Sequence, residues 1–187
     1  MSWAKLQDVD YHYLWNFKGV MNIPNIPGKL PVILFSYDEF YDWAGKTLAY
    51  NAGYRFEDYA EVFEKWGFIT FIPLERYRKV NALLGATQYL RNHPKVNHKN
   101  INLMGMSEGA FMCLIAYRKL EDINTLTLIA PIPINDKGYL SLDQFEYLYD
   151  EENIPVLFFE AHDIGWRINL QRDVYAEMNR YFPNIKT

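Results

Sequence analysis

One cysteine in 187 residues, Cys113, excludes an internal disulfide framework. No apolar run approaches the length of a membrane-spanning helix, and the opening Met1-Ser2-Trp3-Ala4-Lys5 lacks the apolar core of a signal peptide. The expected location is therefore the cytoplasm, although a secreted domain with its signal removed would read the same way. Basic residues are in the minority, 19 against 23 acidic ones, and they form no block suited to nucleic acid or an anionic membrane. A small-molecule or peptide partner is expected instead. Low-complexity tracts and internal repeats are absent too, and none of the four histidines follows His162.

What the chain does have is apolar residues, 50% of the total, enough for a sizeable core in a single domain spanning 1–187. Aromatic residues make up 17%, fifteen of them tyrosines, and clusters of these in loops could line a pocket.

Val9, Tyr11, Tyr13, Trp15 and Phe17 alternate with mostly polar neighbours, which predicts one half-buried strand from Asp8 to Lys18 with His12 on its solvent side. Met21 to Leu30, with two prolines and a glycine, reads as a loop. Three continuous apolar runs read as strands covered on both faces: Pro31 to Ser36, Phe68 to Pro73 and Ile154 to Phe159. Thr125 to Ala130 is a further strand. Helical spacing appears in Phe56, Tyr59, Ala60, Phe63 and Trp66 before Gly67, in Val80 to Leu90 before Pro94, and in Leu170 to Phe182 before Pro183. Leu140 to Asp150 also looks helical and could serve as a small cap within 131–153. The aromatic loop from Tyr37 to Gly53 follows a strand, where α/β folds place ligands, and is expected to wall the pocket. His93 and His98 read as surface residues. Strands alternating with amphipathic helices predict a mostly parallel sheet with helices on both faces.

The stretch with chemical content is Asn102-Leu103-Met104-Gly105-Met106-Ser107-Glu108-Gly109-Ala110, a short strand running through Gly-x-Ser-x-Gly into an apolar helix. At such a junction the serine is held on a sharp bend, and the flanking glycines leave room for the crossing backbone. Ser107 Oγ would stand clear of the sheet. The Glu108 amide would lie at a helix N-terminus, where it can receive an oxyanion.

With this motif inside that alternation, the chain resembles the α/β-hydrolase superfamily, and within it the dienelactone-hydrolase-like and related esterase group, from about Pro31 onward. The residues carrying the likeness are Pro31 to Ser36, Lys65-Trp66-Gly67-Phe68-Ile69-Thr70, His93-Pro94-Lys95-Val96-Asn97 leading to the serine motif, and Ile154 to Phe159 ending at His162-Asp163. The resemblance implies a serine hydrolase of carboxylic esters or lactones, with no metal or organic cofactor. Ser107 would be the nucleophile and Asp163 the acid, with Asp136 as the alternative acid. The oxyanion would sit on the amides of Glu108 and Tyr37, or of Asp38 in place of Tyr37, since Ser36-Tyr37-Asp38 stands where the superfamily commonly has His-Gly.

The catalytic histidine of this superfamily follows the acid, and no histidine follows Asp163. Three readings stay open. The base lies beyond Thr187, or the protein has lost catalysis and only binds a ligand or partner, or His162 serves as base in an unusual arrangement. The chain stops where the last strand of the sheet should begin, at Phe182 to Thr187, so the sheet is expected to lack that strand, and its unpaired edge would invite a homodimer.

Overall fold

The computed structural model describes residues 5–135, 138–139, 154–162, 165 and 167–187. In chain order the elements are β1 (Gln7–Tyr13), β2 (Trp15–Asn22), β3 (Leu30–Ser36), α1 (Phe40–Ala44), α2 (Lys46–Asn51), α3 (Phe56–Lys65), β4 (Ile69–Pro73) and α4 (Lys79–Asn92). There follow β5 (Val96–Met106), α5 (Glu108–Tyr117), β6 (Ile123–Ile129), the two-residue β7 (Ile134–Asn135) and β8 (Gly138–Tyr139), β9 (Val156–Phe159), α6 (Arg167–Met178) and β10 (Ile185–Lys186). The helix expected over 140–150 lies outside the described residues, and of the cap expected within 131–153 the described part is the antiparallel pair β7 and β8 and the segment leading into it.

Eight strands form one sheet in the order β1-β2-β4-β3-β5-β6-β9-β10. β2 runs against its neighbours β1 and β4, and every other pair is parallel. Side chains alternate across the pleat, so each inner strand feeds two cores. On one face Leu34, Phe71 and Leu103 pack with Leu83, Phe111, Val174 and Met178 of α4, α5 and α6. On the other, Phe35 and Ile72 pack with Phe56 and Tyr59 of α3. This is the expected α/β-hydrolase fold with helices on both faces. The last strand, expected to be lacking, is present as the two-residue β10, with Ile185 and Lys186 opposite Val156 and Leu157.

The single strand expected from Asp8 to Lys18 is in fact a hairpin. The chain reverses at Leu14, which takes φ 59°, and Tyr13 pairs with Trp15, His12 with Asn16, and Tyr11 with Phe17. Paired residues share parity, so the alternating pattern runs through the turn without a break and conceals it. The supposed loop from Met21 shortens accordingly, since β2 extends to Asn22. The aromatic loop after β3 also folds, into α1 and α2. Trp66, expected on the buried face of α3, is 78% exposed at its C-terminal end.

β5 is held in place by one buried amide. Asn102 Nδ2 donates to the Val32 carbonyl of β3 at 3.0 Å. Its Oδ1 accepts from Asn124 Nδ2 at 2.9 Å and from Thr125 Oγ1 of β6 at 2.8 Å. A buried amide with all partners met ties the three central strands in one register. That register fixes where β5 ends, and therefore where Ser107 stands.

Candidate functional site

Ser107 separates the last residue of β5 from the first residue of α5, with φ 56° and ψ −124°. Few residues with a side chain adopt such a backbone, and holding one there costs on the order of 1–3 kcal/mol. The surroundings enforce it. The Ser107 amide donates to the Ile129 carbonyl at the end of β6 at 2.8 Å, and its carbonyl accepts from Ala110 at 3.1 Å.

The glycines on either side are required by contact. A Cβ on Gly105 would lie 2.6 Å from the Gly109 carbonyl oxygen and from the Ala110 nitrogen. A Cβ on Gly109 would lie 2.6 Å from the Ser36 carbonyl carbon and run into the carbonyl oxygens of Ser36 and Tyr37. The N-terminus of α5 therefore presses directly on the end of β3. The amides of Glu108 and Gly109, in the first turn, have no backbone acceptor among the described residues. α5 is buried along most of its length, and Cys113 within it is a packing residue whose thiol burial pushes up to about 12.

Beneath this bend lies a cluster of charges. Lys79 Nζ, at the start of α4, sits 2.9 Å from Glu108 Oε2 and 3.0 Å from Asp42 Oδ2, and all three side chains are nearly inaccessible. These are ion-pair contacts rather than aligned hydrogen bonds, which leaves both oxygens short of a full partner. Lys79 also donates to the Tyr37 carbonyl at 3.3 Å and lies over the Tyr37 ring, while the Tyr37 hydroxyl donates to Asp42 Oδ1 at 2.8 Å. One ammonium thus serves two carboxylates. Burial works against the Lys79 charge, but Glu108 and Asp42 outweigh it and hold its pKa above the usual lysine value. Burial pushes Glu108 up to about 7; Lys79 opposes this, and the nearby Glu39 and Asp42 charges add to it. The two partners shift in ways that a lone ion pair would not, because the ammonium is shared.

A pH dependence follows. Glu108 binds its proton more tightly folded than unfolded, so its contribution to stability is complete below about pH 4.5 and is lost as pH rises through about 7. The loss amounts to at most about 3 kcal/mol. Lys79 shifts upward from 10.5 and stays charged throughout this window. Glu108→Gln is expected to flatten the melting temperature between pH 5 and 8, where the wild-type value falls. An equally steep fall in both proteins, measured by calorimetry, would refute this origin.

The aromatic segment after β3 does wall a cavity, of about 260 Å³, with Tyr41, Tyr50, Tyr54, Phe56, Lys46 and Leu74 in its lining. Ser107 is not among the lining residues, so this cavity flanks the bend rather than containing it. Phe40 N donates to Asp38 Oδ1 at 2.7 Å, which anchors the turn into α1.

Of the expected site residues, Ser107, Glu108 and Tyr37 come together. Asp163 and the alternative Asp136 lie outside the described residues. His162 is exposed and follows β9, two strands along from β5, or about 10 Å between strand axes. The segment leading to it is fixed by fully buried Gln171, whose Oε1 accepts from the Ala161 amide at 2.9 Å. His93 and His98 belong to the opposite end of β5, and His12 stands on β1, four strands away. Lys79 and Asp42 escaped the sequence reading. The signal for them was Glu108 itself, since a carboxylate in the first turn of an otherwise apolar buried helix needs a cation.

The sequence profile described as BAAT / Acyl-CoA thioester hydrolase C terminal matches residues 84–182, more than half of the chain. Human "Acyl-coenzyme A thioesterase 1" is 24% identical over 175 residues, covering 86% of this chain and 35% of that protein. The chain thus spans about a third of the length of this curated relative. Among solved structures, a thermostable esterase from Pseudomonas putida superposes with a TM-score of 0.72 at 15% identity, covering 96% of this chain and 70% of that one. A dienelactone hydrolase-like promiscuous phosphotriesterase from metagenomic libraries superposes with a TM-score of 0.69 at 13% identity, covering 99% and 80%. Pyrococcus horikoshii acylaminoacyl peptidase gives 0.68 at 12% identity, covering 100% of this chain and 37% of that one.

Proposed function

Because the chain belongs to the BAAT / acyl-CoA thioester hydrolase C-terminal family, a family of thioesterase and esterase type, we propose that it is a serine hydrolase of carboxylic esters, lactones or acyl thioesters with Ser107 as nucleophile. The observation that carries this reading is the backbone of Ser107, a strained φ of 56° at a strand-to-helix junction where both flanking glycines are sterically required. A serine kept in so unfavourable a conformation is doing something that an ordinary cap would not require.

In the proposed reaction Ser107 Oγ forms a bond to the acyl carbon, and the bond to the leaving oxygen or sulfur breaks as the tetrahedral intermediate collapses. The hydroxyl proton passes to a histidine and from there to the leaving group, and water then releases the acid. Within this chain His162 is the histidine that the topology carries to the ends of the central strands, and Asp163 stands in sequence where the family's acid stands. The Glu108 amide, which has no backbone acceptor among the described residues, supports one half of the oxyanion site.

The substrate class is tested by incubating the full-length protein with short acyl thioesters of coenzyme A and with p-nitrophenyl acetate, following free thiol and p-nitrophenol. Saturable release from the thioesters is the expected outcome. If neither substrate is cleaved, the hydrolase reading fails and a non-catalytic ligand-binding role takes its place.

A further inference from the structure

We propose that the second oxyanion donor is the backbone amide of Asp38 rather than that of Tyr37, and that buried Lys79 is the positioning residue that aims it, by holding the Tyr37 carbonyl on the opposite side of the same peptide plane. This assignment rests on the serine hydrolase reading above.

Two independent contacts fix the direction of that carbonyl. Its oxygen accepts from Lys79 Nζ at 3.3 Å, and it also faces Gly109 so closely that a Cβ there would collide with it. The Tyr37 carbonyl therefore points inward, at the starts of α4 and α5. No cis peptide bond occurs among the described residues. In a trans peptide the N–H lies on the opposite side from the C=O, so the Asp38 amide points away from Lys79.

The position suits a catalytic donor. Ser36, the last residue of β3, pairs with Gly105 of β5, so the 37–38 peptide lies beside the bend that carries Ser107. The Asp38 amide donates to no acceptor among the described residues, although the Asp38 carboxylate and carbonyl both accept. Two donors at the end of a central strand, the amides of Asp38 and Glu108, neither with an acceptor among the described residues, form a two-pronged anion site.

Lys79 contributes in two ways. It is pinned by Glu108 and Asp42, so the carbonyl it holds cannot rotate without breaking a buried ion cluster. A cation on the carbonyl oxygen also polarises the peptide and strengthens its N–H as a donor. Glu108 thereby works at both ends: its amide faces the substrate, and its carboxylate steadies the lysine that aims the other amide.

The test compares variants of the full-length protein by p-nitrophenyl acetate hydrolysis. Lys79→Met alone would leave two buried carboxylates unpaired, so Lys79→Met is combined with Glu108→Gln, which keeps the Tyr37 to Asp42 hydrogen bond. The expected result is a kcat lower by about 100-fold, a KM changed by less than about three-fold, and cooperative melting retained. Lys79→Arg, which keeps a cationic donor, is expected to recover at least about a tenth of wild-type kcat. A folded double variant with kcat within about two-fold of wild type overturns the assignment. Where that variant fails to fold, the wild-type crystal structure with a phosphonate bonded to Ser107 decides. The phosphonyl oxygen should lie about 3 Å from the amide nitrogens of Asp38 and Glu108, and a contact with the Tyr37 amide instead overturns the assignment. An enzyme that depends on Ser107 but is indifferent to Lys79 refutes only this inference, whereas a Ser107 that never reacts refutes the hydrolase reading and this inference together.

Discussion

Gly109→Ala is expected to lower the melting temperature by roughly 10 °C and to abolish hydrolysis in whatever protein remains folded. The added methyl would meet the carbonyl groups of Ser36 and Tyr37, its carbon lying 2.6 Å from the Ser36 carbonyl carbon. These obstacles are backbone atoms of β3, a central strand, and no side-chain rotation can relieve the clash. α5 must move off the sheet, or β3 must bend. Overpacking of this kind costs about 3 kcal/mol or more when the neighbours cannot give way, and a domain of this size loses about 2–4 °C for each kcal/mol. Moving α5 also carries the Glu108 amide away from the 37–38 peptide, so activity should fall further than stability. Thermal melts with a parallel ester assay check both. A Gly109→Ala protein that melts within 2 °C of wild type, on the order of 0.5–1 kcal/mol, would mean that the close approach of α5 to β3 is not there.

Ser107 offers the second large effect, and its two readouts move in opposite directions. Ser107→Ala is expected to reduce turnover by about 10³-fold or more, because the proposed reaction uses the Ser107 hydroxyl as its acyl acceptor. Ser107→Gly should be equally inactive but more stable than wild type by about 1 kcal/mol, since glycine adopts a positive φ without strain. The gain is smaller than the strain relieved because glycine also gives the unfolded chain more freedom. A residue that limits both rate and stability is one the fold holds at a cost for the sake of its chemistry. If Ser107→Gly were less stable than wild type, the strain argument would fail even with activity lost.

How far this could be read from sequence depends on the range of the interaction. The bend at Ser107 was legible because its determinants lie within five residues, Gly105 to Gly109, at a change from strand to helix periodicity. The buried strand Ile69–Pro73 was legible because a continuous apolar run bounded by proline or glycine has few other uses. Val156–Phe159 was legible as a strand but not in its burial, since Leu157 and Phe159 are exposed among the described residues and only Val156 and Phe158 are covered. The hairpin at Leu14 was not, since a turn that pairs Tyr13 with Trp15 preserves alternation and has none of the glycine or asparagine that usually marks a reversal. Nor was the cluster of Asp42, Lys79 and Glu108. These three come from α1, α4 and α5, far apart in the chain, and sequence spacing carries no trace of their meeting. Glu108 alone pointed to it, as a charge where burial was otherwise complete. The direction of the Tyr37 carbonyl is invisible in sequence, because it depends on a backbone rotation set by that cluster.

Everything proposed for the chemistry depends on Ser107 being a reactive hydroxyl. The most direct measurement is intact-protein and peptide mass spectrometry of the full-length protein after exposure to a fluorophosphonate. The account predicts one added phosphonyl group per chain, located on Ser107, and none in Ser107→Ala. A protein that stays unmodified, or is modified equally in Ser107→Ala, would contradict it.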